Sequence, residues 1–174
     1  MERGGGELVP IVFRQMQTGD NNLKWYATRV INDKAYVLRY MEHEGLETAQ
    51  IRDLSTLLFI HTSYRRIDEL RYMFYDRVLF YKTADKKYIE SVPDQVMKTF
   101  LIMAPFHDEP VMYLSVDDPN FFDGPRKRVL SGPFKDCEGV IRRIKGERRL
   151  IVRVSDKAAV ATPYIPKENL ESII

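Results

Sequence analysis

The chain has 174 residues, of which 27 are Lys or Arg and 25 are Asp or Glu, so its formal net charge is only +2. This length suits one ordinary domain or two small ones, and the composition is that of a globular protein. No apolar run is long enough to cross a membrane, and the first residues lack the apolar core of a signal peptide. With a single cysteine, Cys137, an internal disulfide is excluded and we expect a cytoplasmic protein.

The near-neutral total conceals a division of charge at residue 126. Residues 1–125 carry 15 basic and 19 acidic side chains, a net charge of −4, whereas residues 126–174 carry 12 basic and 6 acidic side chains, a net charge of +6. Such an asymmetry between two parts of one chain indicates two units with different partners.

The first part of the chain, after a Gly-rich tail over 1–23, predicts an α+β unit over 24–104. Aromatic and β-branched residues or apolar runs predict strands over 24–30, 57–60, 78–81 and 88–90. Apolar residues at helical spacing predict helices over about 34–44, 64–75 and 93–104. This order favours an antiparallel sheet with helices on one face, close to the split βαβ pattern.

The second part of the chain predicts a smaller, all-β unit. Residues 105–125 contain four prolines and several turn signals, which indicate an irregular linker. Short alternating strands follow over 128–130, 138–141, 149–154 and 158–161, as expected for a small β-barrel over 126–174. Two independently mobile domains are the expectation from this pattern.

Sequence motifs for catalysis or for metal binding are lacking. The chain has no Gly-rich phosphate loop, and His43, His61 and His107 lie far apart, outside any metal-ligand spacing. Cys137 is flanked by Asp136 and Glu138, whose charges disfavour a reactive thiolate. We therefore predict a binding protein that is not an enzyme and that uses no cofactor and no metal.

Two stretches resemble the NusG family of transcription factors. The strand, Gly-Pro-Phe turn and Glu-Gly-Val of residues 128–141 resemble a KOW motif, in which Gly132-Pro133 makes the turn and Phe134 lies near its tip. Trp25-Tyr26-Ala27 and the apolar run 57–60 are similar to the N-terminal domain of NusG proteins. The segments 143–146 and 160–162 are similar to specialised paralogues that regulate capsular polysaccharide operons.

The resemblance covers about residues 24–174 and implies both a fold and a function. The fold would be a ferredoxin-like NusG N-terminal (NGN) domain followed by an SH3-like KOW barrel. The function would be transcription elongation and antitermination by a monomer that binds the clamp helices of RNA polymerase. The KOW domain would recruit a ribosomal protein or the termination factor Rho, and specialised paralogues also contact nontemplate DNA or leader RNA.

The same resemblance places the polymerase-binding depression at Trp25, Tyr26, Leu57 and Phe59. Side chains alternate along a strand, so Trp25 and Tyr26 face opposite sides and at most one of them meets the clamp helices. The alternative is that these aromatic residues are simply core. Exposure of Leu57 would favour the partner-binding interpretation, because a contiguous exposed apolar patch is typical of a binding site.

Further candidates lie in the second unit and on the second helix. Phe134 at its turn tip, joined by Ile144, is the predicted partner surface of the barrel, and the alternative is that Phe134 folds under the barrel. Weak candidates for nucleic-acid binding are Arg65, Arg66, Arg142, Arg143, Lys145, Arg148 and Arg149. The alternative for these is a solvated face. An RNA-binding or ribosome-associated KOW protein that does not engage polymerase is the second functional hypothesis.

Overall fold

The computed structural model describes residues 22–173 and contains two antiparallel sheets and three α-helices within that range. The helices are α1 (Lys34–His43), α2 (Tyr64–Met73) and α3 (Asp94–Met103). The strands are β1 (Leu23–Val30), β2 (Glu47–Ile51), β3 (Leu54–Ser63), β4 (Val78–Phe80), β5 (Met112–Ser115), β6 (Arg126–Val129), β7 (Glu138–Ile144), β8 (Glu147–Ser155), β9 (Ala158–Ala161) and β10 (Leu170–Ile173). The predicted α+β class is confirmed, and all but the end of the predicted tail over 1–23 lies outside the described residues.

The first sheet has the strand order β2-β3-β1-β4, with every neighbouring pair antiparallel. The β1-α1-β2 unit is split by β3, and the β3-α2-β4 unit is split by β1. Helices α1 and α2 pack on one face, whereas α3 packs on the other. The expectation of helices on one face is therefore wrong, because β1 and β3 bury residues on both sides of the sheet and each side needs a cover.

The second sheet has the order β10-β6-β7-β8-β9-β5, again antiparallel throughout. Strand β5 comes from the segment 105–125 and pairs with β9, so the interpretation of that segment as an irregular linker is wrong for residues 112–115. Strand β10 was not expected from the sequence. It follows a short 3-10 helix over Lys167–Asn169 and pairs with β6. The assignment of the two units to the NGN and KOW types stays a prediction.

Buried apolar residues form three clusters. The first, which we call the α1/α2 core, packs residues such as Tyr26 and Leu58 against α1 and α2. The second, which we call the shared core, contains Trp25 and Phe59 from the first sheet, residues of α3, and residues of the second sheet such as Leu150. The third lies on the other face of the second sheet, under Val116 and residues 121–122. The two parts of the chain are thus joined by one continuous core.

Candidate functional site

The four residues predicted to bind polymerase are all buried. Trp25 is 9% exposed, Tyr26 and Leu57 are 1% exposed, and Phe59 is fully buried. Trp25, Leu57 and Phe59 belong to the shared core, whereas Tyr26 belongs to the α1/α2 core. The prediction that Trp25 and Tyr26 face opposite sides of the sheet is confirmed. Three of the four candidates therefore share one face.

That shared face is covered rather than open. The Phe59 ring packs on Phe100 of α3 with the ring centroids 4.9 Å apart, and the Trp25 ring stacks on His61 at 4.7 Å. The exposure of Leu57 that would have signalled a partner site is absent, since only 1% of its surface reaches solvent. A partner that uses this face has to compete with the elements that now cover it.

Polar contacts made by Thr99 of α3 reinforce the joint between the two parts. The backbone N–H of Glu138 donates to the Thr99 hydroxyl at 3.2 Å, and the Cys137 thiol lies 3.9 Å from the Thr99 carbonyl oxygen. Further along the joint, Arg153 of β8 forms an ion pair of 2.7 Å with Glu90 of the first part. We call this contact region, from Glu90 and Thr99 to Cys137 and Arg153, the joint.

Phe134 also lies in the joint, which corrects its expected exposure. Its side chain is only 5% exposed, and its ring packs on His107 with the centroids 4.5 Å apart. Phe134 is buried because His107, from a distant segment earlier in the chain, packs over the Gly-Pro-Phe turn. Ile144 packs against the cluster on the other face of the second sheet, so the expectation that it joins Phe134 is wrong.

Glycines make the turn and the strand of this motif possible for two different reasons. Gly132 has a φ of +88°, a conformation that residues with a side chain resist. Gly139 has no such φ; a Cβ atom there would lie 2.2 Å from the carbonyl oxygen of Ile151 on β8. The close approach of β7 to β8, and not the backbone conformation, therefore requires glycine at position 139.

The thiol of Cys137 has low reactivity in this arrangement. It is fully buried in the shared core, and burial, helped by the neighbouring Asp136 carboxylate, raises its pKa to about 12. Since the thiolate is the reactive form, the buried thiol is a poor nucleophile. The sequence also predicts an unreactive Cys137. Because the thiol reacts only when it is exposed, its reaction rate measures how often the joint opens.

The five basic residues of the second part that were nucleic-acid candidates divide into two groups. Arg142 donates hydrogen bonds to the carbonyl oxygens of Asn120 and Asp123, and Arg149 donates to that of Thr162 at 3.1 Å. These two arginines hold the chain in place. The second group is Arg143, Lys145 and Arg148, which have no ion pair within residues 22–173; Arg143 and Lys145 are exposed, and Arg148 is half-buried.

The arginines of α2 are mostly occupied by neighbouring acids. Arg66 lies 2.9 Å from Glu44 and 3.0 Å from Glu69. Arg71 lies 2.6 Å from Asp68. Arg65 remains the most available, because its side chain is 88% exposed and its contact with Glu69 is long at 4.0 Å. The predicted nucleic-acid contacts of this helix therefore depend mainly on Arg65.

Sequence reasoning missed the joint and its polar contacts. The sequence of α3 contained a signal for this contact. Six of its ten residues are apolar, and they cover more of the helix surface than a single buried face would. A helix that is apolar on several sides is expected to be covered from several sides. The pairing of Glu90 with Arg153 has no comparable signal, because the two residues are distant in sequence.

Comparison with protein-family models, curated proteins and solved structures found no match to this chain. Within residues 22–173, no helix has the length and apolar character needed to cross a membrane. In the same range, no group of three or more His, Cys, Asp or Glu side chains is arranged to hold a metal ion.

Proposed function

We propose that the chain is a transcription elongation and antitermination factor of the NusG type that acts on selected operons. It binds the clamp helices of RNA polymerase through the α3-facing side of its first sheet, and its second part recruits another partner. The observation that supports this proposal is that the Trp25 strand and the Gly-Pro-Phe turn, the two segments that carry the resemblance, lie in one buried cluster. For the first sheet to present this face to a partner, the joint has to open and α3, whose Phe100 ring lies on Phe59, has to move aside.

Burial of these residues adds a condition to the proposal. Trp25, Leu57 and Phe59 cannot touch a partner while they are packed in the shared core. Charged replacements of Leu57 or Phe59 would unfold the protein, because an unpaired charge in a core is strongly destabilising. The sharper test holds the joint closed without changing the predicted contact residues.

The substitution Thr99→Cys provides such a test. The Thr99 carbonyl oxygen lies 3.9 Å from the Cys137 sulfur, so the two positions are close enough for a disulfide to be attempted across the joint. We expect the reduced variant to bind purified RNA polymerase like the natural chain, and the oxidised variant to bind at least about tenfold more weakly, a loss of ~1.4 kcal/mol. Titration of free thiols measures closure, and Thr99→Ser, which keeps the hydroxyl, is the control for the substitution itself.

The possible outcomes separate the two functional hypotheses. Equal binding by the oxidised and reduced forms would place the polymerase site elsewhere. Absence of binding by the natural chain and by the reduced variant would remove the polymerase function and leave the RNA-binding alternative.

The specific observation in favour of that alternative is the group Arg143, Lys145 and Arg148, which lacks ion pairs within the described residues. If these residues bind RNA, the pair of changes Arg143→Glu and Arg148→Glu should weaken salt-sensitive RNA binding by the whole chain. The pair Lys135→Glu and Lys167→Glu is the matched control, since it reverses two exposed charges outside this group. An equal loss in the control would indicate general charge attraction instead of a site.

A further inference from the structure

A cleft with a volume of about 1070 Å³ lies between the two parts of the molecule. One wall is formed by β1, β4 and the turn that follows β4, and the other by β5, the segment after it and the turn between β8 and β9. The volume is slightly above the usual range for small-molecule sites in proteins, which is roughly 300–1,000 Å³. It lies apart from the residues assigned to partner binding above.

Positive charge predominates in this cleft. Four basic side chains line it, Arg29, Lys82, Lys86 and Lys157, and none of them makes an ion pair within residues 22–173. Two acids also line it, and one of these, Asp156, is bound by Arg153 at 2.7 Å. Because unpaired cations outnumber unpaired acids here, the cleft favours an anionic ligand.

Aromatic rings lie among these cations. Tyr81, Tyr113 and Phe122 line the cleft, and the hydroxyls of the two tyrosines are 2.5 Å apart, which fixes both rings. Burial, followed by the hydrogen bond to Tyr113, raises the pKa of Tyr81, so Tyr81 adds no negative charge at neutral pH. The Arg29 guanidinium lies 4.6 Å from the centre of the Tyr113 ring and covers one face of it, so Phe122 is the main ring for stacking a base.

We propose that this cleft binds a nucleotide unit, with its phosphate near the lysines and its base against the aromatic rings. Cations interleaved with aromatic rings recognise the phosphate and the flat base together, whereas a purely acidic ligand uses the cations alone. The unit can come from a free nucleotide or from a single strand of nucleic acid. This inference does not depend on polymerase binding.

The experiment uses the whole chain and fluorescence anisotropy with two probes, a labelled ADP and a short labelled oligouridylate. We expect at least one probe to bind, and the pair of changes Lys82→Glu and Lys157→Glu to weaken that binding about tenfold or more and to reduce its salt dependence. Both lysines are exposed, so the fold should persist, as circular dichroism will check. Lys135→Glu together with Lys167→Glu is the matched control, because both residues are exposed and neither lines the cleft.

A second variant tests the aromatic part of the site. Phe122→Ala should weaken the same probe about tenfold, as loss of a stacked base typically does. Competition by unlabelled ADP against the oligouridylate identifies a free nucleotide as the source, and binding of the oligouridylate alone identifies a single strand.

The proposal is overturned if neither probe binds, or if the control pair weakens binding as much as the cleft pair. It is also overturned if an oligoglutamate peptide competes as well as ADP, since charge alone would then explain the binding.

Discussion

The two faces of the first sheet are covered in different ways. On one face, Tyr26 and Leu58 pack against α1 and α2, which are the helices that connect the strands of the same unit. On the other face, Trp25 and Phe59 pack against α3, and the same core continues into the second sheet. One face is therefore covered by helices of the same unit, whereas the core on the other face also includes residues of the second part of the chain.

The largest expected effect is on the rate at which the Cys137 thiol is alkylated. This thiol lies in the shared core, which covers the second of these faces. Its pKa of about 12 compares with an ordinary value of 9.0, so the native chain should react with iodoacetamide about a thousandfold more slowly than the unfolded chain at neutral pH. Mass spectrometry of the alkylated protein measures both rates. Fast labelling of the native chain would mean that the joint opens readily.

The same shift predicts a dependence of stability on pH. The native pKa lies above the ordinary value, so the folded state holds the thiol proton more tightly than the unfolded state does. The stability linked to this proton is fully present below pH 9.0 and is lost as the pH rises towards about 12. Cys137→Ala should remove this part of the alkaline loss in urea unfolding experiments.

The next largest effect is expected when one phenylalanine from each core is replaced by alanine. Phe100 and Phe74 are both almost fully buried, and replacing either by alanine should cost about 3–5 kcal/mol of unfolding free energy. Phe100 lies in the shared core and Phe74 in the α1/α2 core. We therefore expect only Phe100→Ala to speed the labelling of Cys137 in native buffer.

Urea unfolding followed by the fluorescence of Trp25, the single tryptophan, measures the cost in both variants. Equal acceleration of Cys137 labelling by Phe74→Ala would contradict the separation of the two cores.

Local patterns in the sequence predicted the three helices and the strands at 24–30, 57–60 and 78–81, but the strand predicted over 88–90 forms only an isolated bridge and β2 was missed. Contacts between distant segments account for the other elements that were missed. The helical spacing of Ile67 and Leu70 and the alternation of Trp25 and Tyr26 depend on neighbours within one element, and the structure agrees with both. Strands β5 and β10 have only four residues each and are stabilised by pairing with β9 and β6. No local signal distinguishes such strands from irregular chain.

The candidate site was harder to predict than the fold for the same reason. Phe134 looked exposed because its turn is a typical surface element, yet it is buried by His107, which comes from outside the predicted unit. Similarly, the burial of Leu57 depends on α3 and on the second sheet. Sequence patterns indicate that a residue is apolar, but they do not indicate which remote element covers it.

A smaller effect is expected from the close approach of β7 to β8 beside the shared core. In Gly139→Ala the new Cβ would meet backbone, the Ile151 carbonyl oxygen at 2.2 Å, so the strands must separate at a cost of about 1–3 kcal/mol. Gly146→Asn is the control, because a Cβ there would meet nothing within 4 Å and asparagine tolerates the positive φ of this position. Thermal unfolding compares the two, and a similar loss in both variants would argue against the close approach as the cause.

The smallest effect should come from the ion pair that crosses the joint. Glu90→Gln removes the partner of Arg153 in the first part of the chain, while Asp156 still holds the same guanidinium at 2.7 Å. The Arg153 side chain is 36% exposed, so solvent screens the pair and we expect a loss of about 0.5–1 kcal/mol, or a two- to fivefold faster labelling of Cys137. The difference should shrink as salt is added. Asp156→Asn removes the partner that does not cross the joint and should leave labelling unchanged; if it accelerates labelling equally, Arg153 stabilises the joint through its packing rather than through the bridge to Glu90.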